Sequence, residues 1–68
     1  MRERLSELVG EMVERGIRFQ DAQREFEKHF ITHVVTKHQG NLGKAAETLG
    51  VHRNTLTRKI QELKIKAR

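Results

Sequence analysis

No proline interrupts the 68 residues, and between successive glycines the apolar side chains recur every three or four positions. Proline would remove a backbone donor and break a helix. The spacing itself is the stripe of an amphipathic helix, not the alternation of a half-buried strand. The chain is therefore expected to be all-α, one domain over residues 1–68, with glycines marking where helices stop.

Leu5, Leu8, Val9, Met12 and Val13 stand at i, i+3, i+4, i+7 and i+8. They place a first helix over about residues 3 to 15, ended by Gly16 in a left-handed cap. Gly10 inside it costs roughly 1 kcal/mol against Ala and marks a candidate close approach of another helix. A second, longer helix runs from about Gln20 to His38 and stops before Gly40. It is apolar on two sides: Ala22, Phe26 and Phe30 fall on one, while Ile31, Val34, Val35 and the ring of His38 extend the surface around to the other.

A helix apolar over such an arc buries two faces. One is expected to cover the C-terminal half, and the other, with the first helix, to meet a symmetry mate in a four-helix dimer core over residues 1–38. The interface set is Leu5, Leu8, Val9, Met12, Val13, Phe26, Phe30, Ile31, Val34 and Val35. Two alternatives stay open: which face of the second helix meets the partner, and whether the first helix instead folds back in a monomer. A core this small supplies only about 3–5 kcal/mol. With no cysteine there is no disulfide framework or thiolate metal site to add to it.

Residues 41–65 have a different layout. Asn41 is a good N-cap for a third helix, Leu42 to Leu49, whose inward set is Leu42, Ala45, Ala46 and Leu49. The alanine pair lets a following helix cross closely, and Gly50 supplies a positive φ that turns the chain at once into the next helix, with Val51 as the apolar plug of the turn. The fourth helix, about His52 to Leu63, buries Leu56, Ile60 and Leu63. Its outward face is then Asn54, Arg58 and Gln61, flanked by Thr55 on one side and by Arg53 and Thr57 on the other. This is the layout of a DNA-binding helix-turn-helix.

Charge supports that reading. Residues 1–36 carry six basic and seven acidic side chains, residues 37–68 eight and two, so the net +5 is concentrated in the second half. Such a split is the footprint for a polyanion, although charge alone does not separate DNA from RNA or an anionic membrane. Arg58 can bond guanine O6 and N7 bidentately, Asn54 can pair with adenine, and Thr55 can donate to a base edge or touch a thymine methyl. Arg53 sits where the start of a recognition helix meets base edges. Lys44, Lys59, Lys64, Lys66 and Arg68 are candidate phosphate contacts, with Asn41 and the first-turn amides of the third helix, Gly43 included. Any one of these cations alone reads as a solvated surface charge.

Other functions fit less well. His29 and His33 are i, i+4 neighbours with no intervening Glu and no third ligand, so no metal site and no cofactor is expected. Ser6 has no base beside it and no carboxylate pair stands on a polar concavity, so the chain is not expected to be an enzyme. All three Phe residues lie in the first half, which removes an aromatic platform for stacking RNA bases. No apolar run approaches the ~20 residues that span a bilayer, and the charged opening lacks a signal h-region. A soluble, intracellular protein is expected. The alternative to DNA binding is a protein-interaction or dimerisation module whose basic face docks on an acidic partner such as RNA polymerase.

The segment from about Phe26 to Ile65 resembles the Fis family of bacterial helix-turn-helix domains, which includes nucleoid proteins and the C-terminal domains of NtrC-type activators of sigma-54 polymerase. The likeness lies in Gly40-Asn41, Ala45-Ala46, Leu49-Gly50, the run RNTLTRK from Arg53 to Lys59, and Glu62-Leu63. RNTLTRK looks closer to the activators than to the nucleoid protein. The resemblance implies a cytoplasmic, nucleoid-associated homodimer acting in transcription, with the fourth helix in the major groove of each half-site of a degenerate palindrome and bending of the duplex. It further implies base reading by His52, Arg53, Thr55 and Arg58 and backbone contacts at Asn41, Thr57 and Lys59, with RNA polymerase or a fused or partner regulatory domain as further partners. His52 and Thr57 depart from the nucleoid protein's residues, so its sequence preference is not expected to transfer. Its N-terminal β-hairpin arm has no counterpart here, nor has the phosphate-binding glycine loop of an activator ATPase.

Overall fold

A computed structural model describes residues 1–66, and everything below concerns those residues. Four helices follow in order: α1 (Arg2–Glu14), α2 (Phe19–Lys37), α3 (Leu42–Leu49) and α4 (Arg53–Leu63). All four lie within a residue or so of the expected spans. The one shift that matters is at α4, which starts at Arg53 and not at His52, because His52 has extended backbone (φ −70°, ψ 146°) and serves as the N-cap. Among the described residues no helix is long and apolar enough to cross a membrane.

Each helix ends in the same way. The residue after the last turn enters the left-handed region, and the next N–H reaches back to a carbonyl of the final turn, so otherwise unpaired acceptors are satisfied. For α1 this is Gly16 (φ +77°) with Ile17 N–H donating to Met12 O; for α3 it is Gly50 (φ +73°) with Val51 N–H donating to Ala46 O. At α2 and α4 the left-handed residue is not glycine: Gln39 takes φ +56° and Lys64 +55°. Ile65 N–H then donates to Ile60 O, which folds the Ile65 side chain back onto the helix it has just left.

The core lies in the second half of the chain. Ile31, Val34 and Val35 of α2, Ala45 and Ala46 of α3, Leu56, Ile60 and Leu63 of α4, and Ile65 form one buried cluster, with Leu42 and Leu49 packed on its edge. Ala45 is completely buried, as a close crossing of α3 and α4 requires. Polar ties reinforce the packing. His38 Nε2 lies 2.7 Å from Thr48 Oγ1, Lys59 Nζ donates to Glu27 Oε1 at 2.8 Å, and Arg24 donates to the Glu62 carbonyl.

This packing corrects part of the expected dimer surface. Ile31, Val34 and Val35 are 8%, 8% and 1% exposed and belong to the protomer's own core, because the face of α2 that carries them is covered by α3 and α4. His38, read as part of that apolar surface, is instead anchored by its ring nitrogen to Thr48. Val51, expected to plug the turn, is 41% exposed, while Ile65, absent from the expected core, fills that role at the other end of α4.

Helix α1 stands apart. None of its residues is buried, and only Met12 is partly covered. Leu5, Leu8, Val9, Val13, Ile17, Phe26 and Phe30 are all exposed, and the Phe26 and Phe30 rings pack in a tilted pair with centroids 5.4 Å apart. The opposite face of α1 carries Glu3, Glu7, Glu11 and Glu14, which at about 100° per residue fall in one stripe. Gly10 has open space around its would-be side chain, so no helix of this chain approaches it. The molecule is correspondingly long: 37 × 24 × 18 Å with a radius of gyration of 13.3 Å, against about 11 Å for a compact chain of this length.

Candidate nucleic-acid interface

The exposed face of α4 follows from what its other face buries. With Leu56, Ile60 and Leu63 turned inward, Arg53, Asn54, Arg58 and Gln61 are exposed and Thr55 is half-buried at the flank. Arg58 Nε lies 3.9 Å from the Glu62 carboxylate one turn on, with both side chains mostly exposed. A pair of that kind is worth well under about 1 kcal/mol. Arg58 is thus free to exchange Glu62 for another acceptor.

Two N-caps prepare the helix starts. Asn41 Oδ1 accepts the Lys44 N–H at 3.1 Å, and His52 Nδ1 accepts the Asn54 N–H at 3.3 Å. Gly43 is exposed in the first turn of α3, and a side chain there would touch Asn41 Oδ1 at 3.5 Å. Asn41 and Lys44 share a polar hollow with Lys37, His38 and Gln39. Lys37 and Gln39 were not among the expected contacts. They become neighbours of Lys44 only because the left-handed pair Gln39-Gly40 folds the end of α2 back beside the start of α3.

The expected backbone contacts divide in two. Lys44, Lys64 and Lys66 are exposed, and Lys64 and Lys66 extend the basic surface beyond the end of α4. Thr57 is exposed, but its hydroxyl donates to the Arg53 carbonyl at 3.1 Å within its own helix. Lys59 is corrected. Its side chain is 34% exposed and its ammonium is held by Glu27 at 2.8 Å, so it fastens α4 to α2 instead of standing free for a phosphate. The helix wheel carried that signal, since Lys59 lies only about 60° from the core direction of α4. Arg68 lies outside the described residues.

A two-helix unit with a glycine turn, an alanine-lined crossing and a polar second helix free of carboxylates in its first two turns defines a helix-turn-helix domain of the DNA-binding class. The family model described as "Bacterial regulatory protein, Fis family" matches residues 22–63, so this chain belongs to the Fis family. It is similar to the DNA-binding transcriptional regulator NtrC of Klebsiella pneumoniae, at 39% identity over 62 residues that cover 82% of this chain and 13% of that protein. The chain thus spans about an eighth of the length of this curated relative. No solved structure matches it. The family match takes in α3, α4 and all but the first three residues of α2, and leaves out α1.

Proposed function

We propose that the chain is a DNA-binding homodimer acting in bacterial transcription, with α4 of each protomer in the major groove of one half-site and the duplex bent between them. The observation that carries this is the outward face of α4. Arg53, Asn54 and Arg58 are exposed together on a rigid helix whose inner face is fully committed to the core. Arg58 and Asn54 have the bidentate geometry for guanine and adenine, and Lys44, Lys64 and Lys66 supply phosphate neutralisation around them. The kinship to NtrC, a DNA-binding transcriptional regulator, supports the same reading.

The homodimer is supported by the apolar surface that the protomer leaves uncovered. Leu5, Leu8, Val9 and Val13 on α1 and Phe26 and Phe30 on α2 are all exposed, and Leu8, Met12 and Ile17 share one apolar hollow with Ala22 and Phe26, where scattered single apolar residues would need no explanation. A second copy offers the same surface with twofold symmetry and would close a four-helix core. Polymerase or a regulatory domain would be a further partner of the assembled dimer. No catalytic role and no cofactor is assigned.

The test is a salt series. With roughly eight phosphates neutralised per dimer, log affinity should fall with log salt at a slope near about −7. Arg58→Ala should weaken binding about tenfold or more, since a bidentate base contact is worth about 1–3 kcal/mol. A flat salt dependence, or full affinity without Arg58, would favour docking of the basic face on an acidic protein instead.

A further inference from the structure

Helix α4 is capped by an imidazole. His52 Nδ1 accepts the Asn54 N–H at 3.3 Å, the same service that Asn41 Oδ1 performs for α3. A ring nitrogen accepts only when it carries no proton, so in the capped, neutral ring the proton sits on Nε2. The 1,3 placement of the two nitrogens turns Nε2 away from the helix amides. His52 is exposed and immediately precedes Arg53, at the start of the helix whose first residues meet base edges.

We infer that His52 is at once the cap of α4 and a donor-only reader of DNA, and that it selects guanine at the base facing the start of the helix. The inference rests on the DNA-binding reading above. An uncapped histidine offers a donor or an acceptor according to its tautomer; the cap removes that choice and leaves a single N–H. Guanine presents two adjacent acceptors, N7 and O6, to that N–H. Adenine sets its N6 donor beside N7, cytosine presents a donor, and thymine places a methyl group next to O4. The local fold of the backbone thus becomes sequence preference.

The two roles separate by substitution. Asparagine places an oxygen where Nδ1 stands and its only donor where Cδ2 stands, about one bond length short of Nε2, so His52→Asn keeps the cap and pulls the reader back from the base edge. Glutamine carries an amide nitrogen near the Nε2 position and no acceptor at Nδ1, so His52→Gln does the reverse.

The experiment has one arm without DNA and one with it. In the 15N-labelled chain, a scalar coupling across the hydrogen bond between the Asn54 amide nitrogen and His52 Nδ1 should be observed. Sites selected from random DNA by the whole chain are then resynthesised with 7-deazaguanine at one guanine at a time. One guanine per half-site should lose about fivefold in affinity on losing N7, that loss should vanish in His52→Asn, and it should persist in His52→Gln, which melts lower than the parent. A missing coupling overturns the inference, and so does a 7-deazaguanine profile in His52→Asn identical to that of the parent. In both cases the selection itself still succeeds. A chain that selects no DNA at all overturns the DNA-binding reading as well.

Discussion

Single residues decide how each helix ends, and two do so against their own preference. Lys64 holds φ +55°, a left-handed conformation in which a side chain crowds the backbone and for which glycine is the natural occupant. Its reward is the return of Ile65 to the core, since Ile65 N–H bonds Ile60 O and the Ile65 side chain is 8% exposed. Lys64→Gly should therefore raise stability by about 0.5–1 kcal/mol while removing one of the cations proposed to meet phosphate. Thermal melting should show the gain, and the DNA salt slope should become shallower by about 2 per dimer. A stabilised variant with an unchanged slope would remove Lys64 from the interface.

At the scale of elements, α2 is the part that α3 and α4 are built on. Its Ile31, Val34 and Val35 face supplies apolar burial, and Glu27 and Arg24 on the same side reach α4 through Lys59 and the Glu62 carbonyl. Lys59 therefore ties α4 to α2, and under the proposed DNA binding its contribution would be to hold the helix in place and not to meet a phosphate. Lys59→Ala should cost about 1 kcal/mol, because the partly buried Glu27 carboxylate loses its partner. The salt slope of DNA binding should stay the same, measured by titration at several ionic strengths. A shallower slope would return Lys59 to the phosphate contacts. This pair shows where a sequence pattern stops being informative. An exposed lysine near a motif reads as a DNA contact until the helix carrying its carboxylate partner, 32 residues earlier, is packed beside it.

The whole molecule has a buried half and an uncovered half. The helix-turn-helix with α2 is a finished core, whereas α1 and the outer face of α2 leave a stripe from Leu5 to Phe30 in solvent. Opposite faces of one helix should therefore respond differently to a buried charge. Phe30→Glu should leave helix content near that of the parent yet give a monomer in sedimentation with weaker DNA binding, since pairing of half-sites is lost. Val35→Glu should unfold the protomer, as a charge at a position 1% exposed costs several kcal/mol, about 3 or more. A Phe30→Glu variant that stayed a tight DNA-binding dimer would contradict the proposed interface.

The sequence by itself determined the helices, the ends set by Gly16, Asn41 and Gly50, and the outward face of α4. These depend on local rules: apolar spacing sets the helix, Gly16, Gly50 and Asn41 set the ends, and burying Leu56, Ile60 and Leu63 leaves Asn54, Arg58 and Gln61 on the other side. Only the tertiary structure decided which face of α2 is core and which is free, that Lys59 belongs to Glu27, that Ile65 completes the core, and that His52 spends Nδ1 on the backbone. The physical reason is common to all four. Periodicity says that a surface is apolar or a side chain polar, but its partner is chosen by which residues, distant in sequence or across a turn, the packed helices bring within bonding distance.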